Sequence, residues 1–150
     1  MNYTKLLNVA ISGAAIPRDW MYCFNGDCPH HDDCVRYHST AALDRLHTSG
    51  NCVFPTALRD DGSCTHFKQL RIVCVAWGFR RMFDEVRVAD APLLRTLMKG
   101  YLGGHGTCYM YNSGKRRLMP KQQEWIRKLF ASYGYKNVEF DNSRDEIDFN

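Results

Sequence analysis

The sequence predicts an α+β protein: a single small domain with a short, mostly antiparallel sheet, three or four helices and an N-terminal cysteine knot stapled by a metal. Three observations predict it. Residues 90–101 and 120–133 carry apolar side chains at helical spacing, residues 70–77 form a short β-branched apolar run, and three of the seven cysteines fall within residues 23–34. A chain of 150 residues is an ordinary length for one domain with its own core, so a metal would be a local staple. The expected layout is an irregular arm (residues 1–20), a Cys-rich metal-binding region (21–64), an α+β core (65–141) and an acidic, frayed tail (142–150).

Within the arm, Lys5 and the following LLNVAISGAA have the outline of a signal peptide, but Asn8, Ser12 and Gly13 interrupt a run that is already short. An odd number of cysteines in a chain able to fold without disulfides points the same way, to reduced thiols and a cytoplasmic location. No stretch approaches the roughly 18–20 apolar residues of a membrane span.

The knot reads Cys23-x4-Cys28-x5-Cys34-x3-His38. Three thiols and an imidazole in a run this short and polar suit a metal, because the segment cannot bury enough of itself to hold a shape. Residues 35–47 read as a helix, with Asp32 or Asp33 as its cap and Leu43 and Leu46 on one face, so Cys34 and His38 would lie one turn apart. Residues 48–64 read as a loop ending at Cys64, the preferred fourth ligand; His38 is the alternative. Closing a loop of that length is where a metal clip contributes most. Zinc is the expected ion, although no Cys-x2-Cys knuckle is present, and a [4Fe-4S] cluster is the alternative suggested by the Cys28-Pro29 step.

Residues 70–77 should form a buried strand with Cys74 filling core volume, followed by a short helix that turns Phe79, Met82, Phe83 and Val86 inward. Asp90 as N-cap, Pro92 in the first turn, a Leu94, Leu97, Met98 and Tyr101 stripe and a stop at Gly103 define the next helix. Residues 105–111 alternate, Cys108 and Met110 against Tyr109 and Tyr111, which predicts a strand that turns at Asn112-Ser113-Gly114 into a second strand over 115–118. The last helix runs from Pro120 to Tyr133, with Ile126, Leu129, Phe130 and Tyr133 inward and Gly134 as the stop; a short strand over 137–141 follows.

The run YCFNGDCPHHDDCVRY, the pieces CTHF and VAWGFRRMFD, and the stretch YMYNSGKRRLMPKQQEWIRKLFASYGY together resemble an uncharacterised domain-of-unknown-function family of small bacterial proteins with an N-terminal three-cysteine motif. The resemblance covers most of the chain. It carries Cys23, Cys28, Cys34 and Cys64 as the family's cysteines and implies no particular activity. Locally, the knot with Phe24 and Tyr37 between its ligands is also similar to a CCCH zinc finger, a type that stacks single-stranded RNA bases on such aromatics.

Charge is segregated although the net value is only +4. From Arg95 to Lys136 there are nine basic residues and the single acid Glu124; from Glu139 to Asp148 there are five acids and one Arg. Lys115, Arg116, Arg117, Lys121, Arg127 and Lys128 are therefore the candidate contacts for RNA or DNA. The catalytic alternatives are thin. The GYLGGHG stretch follows a helix and lacks the ending of a phosphate loop, and Cys108 beside His105 would face inward on a strand. The expectation is a non-catalytic binding or regulatory module. Its rival is an iron–sulfur or thiol-based redox or metal sensor that docks a protein partner.

Overall fold

A computed structural model of the chain describes residues 16–150. The arm before Ile16, with its signal-like run, lies outside the described residues. Two compact units form: the first takes the chain up to Ile72 together with Glu146–Asn150, and the second takes Val73–Asp145. Among the described residues no helix is long and apolar enough to cross a membrane.

In the first unit, strand β1 (Met21–Tyr22) pairs in parallel with β2 (Asn51–Cys52), Met21 opposite Asn51 and Tyr22 opposite Cys52. A 3-10 turn at His31–Asp33 leads into the one-turn helix α1 (Val35–His38), and a second 3-10 turn follows at Ser39–Ala42. The helix expected over residues 35–47 stops early. Ser39 Oγ donates to Arg36 O and Thr40 Oγ1 to Tyr37 O, so hydroxyls bond back to carbonyls of the preceding turn. Leu43 is extended, and Leu46 is left 87% exposed. Neither Asp32 nor Asp33 caps α1; both sit in the preceding turn, and Cys34 occupies the N-cap position. Among the described residues the core here consists of Trp20, Val35, Leu70, Ile147 and Phe149. Trp20 meets Phe149 edge-on at 5.1 Å and donates its indole N–H to Ser39 Oγ at 2.9 Å, which satisfies a buried hydroxyl.

The second unit is built on three helices. Strand β3 (Ile72–Trp77) and strand β4 (Asn142–Ile147) form a two-stranded sheet. The bonds that flank it, Asp148 N–H to Arg71 O and Asp141 N–H to Gly78 O, fix its antiparallel sense. The chain thus leaves the first unit within β3 and returns to it within β4. Helix α2 (Ala91–Tyr101) buries Leu94 and Met98, and α4 (Pro120–Ser132) buries Ile126 and Phe130, on the stripes their spacing predicts. Leu97 and Tyr101 stay at the rim, where Tyr101 stacks on Trp125 with centroids 3.7 Å apart. Gln122 Oε1 accepts the Met119 N–H at the start of α4, and the buried Gln123 amide donates to Cys74 O and Leu118 O.

Several expectations are corrected in this unit. Residues 105–111 are a helix, α3 (His105–Asn112), rather than a strand. Cys108 and Tyr111, three residues apart, turn toward the core while Tyr109 and Met110 are exposed, so the apolar spacing that decides is helical. Asn112-Ser113-Gly114 is accordingly a helix stop, with Gly114 at φ +78°, and Leu118 makes a single antiparallel bridge to Ala76. Cys74 is exposed; Val75 and Ala76 fill the core. The last strand lies at β4 rather than over 137–141, so the acidic segment is ordered and buries Glu146, Ile147 and Phe149. Gly78 shapes the turn after β3: its φ is +85°, and a Cβ there would come within 2.6 Å of the Asp141 side chain. That carboxylate accepts the backbone N–H groups of Arg80 and Arg81 at 3.1 and 2.8 Å.

Candidate metal centre

The four cysteines singled out by spacing come from four separate backbone positions in the first unit. Cys23 follows β1 and donates its N–H to Arg36 O at 3.0 Å. Cys28 is buried in a turn whose carbonyl accepts both the His31 N–H, at 3.1 Å, and His31 Nδ1, at 2.7 Å. Cys34 is buried at the head of α1 and lies opposite Gln69 in an isolated antiparallel bridge. Cys64 closes the 48–64 loop, opposite Leu58 in another bridge, and its carbonyl accepts the Phe67 N–H at 3.2 Å. A side chain links loop and knot: His30 Nε2 bonds Gly62 O at 2.9 Å, and its ring packs 5.5 Å from that of Phe67.

The environment of Cys23 bears on the grouping. The Cys23 thiol is pushed above its ordinary value first by burial; a backbone hydrogen bond from Asn25 opposes this, and negative charge on Cys34, Cys28 and Cys64, in that order, adds to it. Cys23 therefore feels each of the other three. All seven cysteines are free thiols. Among the described residues, no group of three or more His, Cys, Asp or Glu side chains is arranged to hold a metal ion. His38, the alternative ligand, has Nε2 bonded to Asp32 O at 2.7 Å and does not figure among the charges acting on Cys23.

The basic residues of the second unit divide into two groups. Lys115, Arg116 and Lys121 are exposed. The Arg117 guanidinium lies 4.0 Å from the Trp77 ring centroid and donates to Gly114 O, Arg127 lies 5.2 Å from that of Phe140, and Lys128 Nζ pairs with Glu124 at 2.8 Å. His105 and Cys108 stand one turn apart on α3. Burial raises the Cys108 thiol, against a smaller opposing effect of Lys99, which is the reverse of what an activated nucleophile needs. The His30 clamp was missed by spacing alone, since a histidine between two cysteines reads as a solvated residue until its partner thirty-two positions away is known.

The fold defines a small α+β protein whose first unit carries Cys23, Cys28, Cys34 and Cys64. The chain belongs to a family of unknown function, DUF6078, whose model matches residues 7–149. No curated protein and no solved structure matches it.

Proposed function

We propose that the chain is a non-catalytic metal-binding module in which Cys23, Cys28, Cys34 and Cys64 take a zinc ion. The observation that supports this reading is that Cys34, Cys28 and Cys64, and not His38, are the groups whose charge acts on Cys23. The donor chemistry fits, because thiolates at short spacing favour zinc and share their negative charge with it. Zinc would neutralise the charge that these thiols impose on one another and would join the 48–64 loop to the knot. Binding requires the four sulfurs to close in. The His30–Gly62 bond supports that closure by linking the knot to the 48–64 loop.

Metal analysis of the purified chain tests the reading, with Cys64→Ser and His38→Ala in parallel. One zinc per chain, lost in Cys64→Ser and kept in His38→Ala, is the expected result. A chain that purifies without metal and takes up none would overturn it; a brown protein with iron and sulfide would replace zinc with a [4Fe-4S] cluster on the same ligands. The second unit takes the binding role in this reading, with RNA or DNA as its polyanion. Lys115, Arg116 and Lys121 are the exposed cations that favour it, and affinity that ignores ionic strength would count against it.

A further inference from the structure

The second unit holds a concavity of about 500 Å³ lined by residues of the 79–84 turn, α2 and α3. That volume suits a small ligand, for which sites run from about 300 to 1,000 Å³. Its lining combines an apolar part, which includes Phe79, Phe83 and Met98, with the cations Arg80, Arg95 and Lys99. Asp84 is the acid on the lining, and none of these four charged groups takes part in an ion pair among the described residues.

This arrangement opposes stability. Arg95 and Lys99 are four residues apart on α2, a like-charge spacing that destabilises a helix, and both line the same concavity. Convergent cations in a recess raise the local positive potential and attract a counter-charge. The Arg95 guanidinium is also held in place over the Phe83 ring, 4.5 Å from its centroid, which leaves the ring's edge and Phe79 as the aromatic surface beside the donor fork. Helix α3 begins on the same lining at His105, with no side chain capping its first turn. Lys99 and Cys108 lie on the lining together.

We propose that this recess binds a small aromatic phosphate, the chemistry a nucleoside monophosphate presents, with Arg80, Arg95 and Lys99 on the phosphate and the ring packed against Phe79, Phe83 and Met98. The phosphate is favoured over a single carboxylate because three unpaired cations oppose one acid, and a guanidinium fork matches two phosphate oxygens. The inference stands apart from the cysteine site, since every lining residue belongs to the second unit.

Calorimetric titration of the full chain with 5′-AMP, phenyl phosphate, adenosine and inorganic phosphate tests it. AMP is expected to bind at least about 10-fold more tightly than adenosine or inorganic phosphate, because only AMP engages both parts of the recess. Arg95→Gln and Lys99→Ala should each weaken AMP by about 10-fold, and Lys136→Ala, outside the lining, should leave it unchanged. Phenyl phosphate binding as well as AMP would support the aromatic phosphate and remove any role for the sugar. Alkylation of Cys108, located by mass spectrometry, gives a second readout in the unaltered chain and should slow when AMP is present. Failure of both AMP and phenyl phosphate at millimolar concentration, equal binding of inorganic phosphate and AMP, or AMP binding that is indifferent to Arg95→Gln and Lys99→Ala would overturn the proposal.

Discussion

The two units hold themselves together by different means. The second has eleven buried residues in one cluster, drawn from β3, three helices and the connections between them. Among the described residues the first has five, and its described segments are otherwise joined by two-residue strands, isolated bridges and single side-chain bonds. A cluster of five side chains supplies limited burial energy, and small cores of this kind commonly rely on cross-links. The difference teaches where a metal would matter: in the first unit it would supply what the second obtains from packing.

Chelation is the strongest way to break this comparison. On the proposed site, removing zinc should open the first unit and leave the second closed, at a cost of several kcal/mol, within the order of 10 kcal/mol measured for structural zinc in small modules. Hydrogen exchange checks it, as amides of residues 20–70 should lose protection while those of α2 and α4 keep it. The reverse disruption is Phe130→Ala in the second unit. Phe130 is fully buried and contacts Phe83 and Tyr135 edge-on, so truncation should cost about 3–5 kcal/mol in denaturant unfolding. Exchange in the first unit then reports how far the two are coupled. Gly78→Ala should cost at least about 2 kcal/mol, because the residue keeps a positive φ and the added Cβ presses on Asp141. Ser39→Ala is expected to cost about 1–2 kcal/mol by leaving the Trp20 indole N–H without its buried acceptor, and Trp20 fluorescence should shift with it.

Alkaline pH sharpens the comparison further. The folded Cys23 thiol titrates above its ordinary value, so its protonated form favours the fold. That contribution is complete below the ordinary thiol range and is lost as pH rises through the higher folded value. Without zinc, the first unit should therefore lose stability as pH rises through the thiol range, and the second should lose some as well, because burial also raises its Cys108 thiol. With zinc bound, the thiolates are the ligands, and the trend should vanish from the first unit alone.

Sequence and structure agree best where one signal dominates. Helices α2 and α4 have Pro in the first turn, Gly just past the end and an unbroken apolar stripe, and their bounds fall within a residue of those signals. Of the antiparallel sheet only the strand β3 was legible, in the 70–77 run. Helix α3 was not, because Cys108, Met110, Tyr109 and Tyr111 fit an alternation as well as a helical period, and only the burial of Tyr111 decides between them. The acidic composition of residues 142–148 hid a strand whose apolar contribution is confined to Ile147 and the Phe149 that follows. For the candidate site, spacing brought forward Cys23, Cys28, Cys34 and Cys64 together. It could not show that the knot is clamped by His30, nor that Arg117, Arg127 and Lys128 spend their side chains within their own unit. Such long-range pairings leave no local trace. The recess formed with Arg80 and Arg95 was invisible for the same reason, its cations being split between a turn and a helix.

The passage of the chain out through β3 and back through β4 has a consequence for the order of birth on the ribosome. Residues 73–145 are contiguous, so the second unit can close as soon as they have emerged. The first cannot, because Ile147 and Phe149 are part of its core and are translated after every other residue in it except Asn150, Asp148 between them aside. The usual vectorial sequence, in which the earlier segment folds first, is thereby inverted. Until Ile147 and Phe149 arrive, the segments that carry Cys23 to Cys64 lack part of their core.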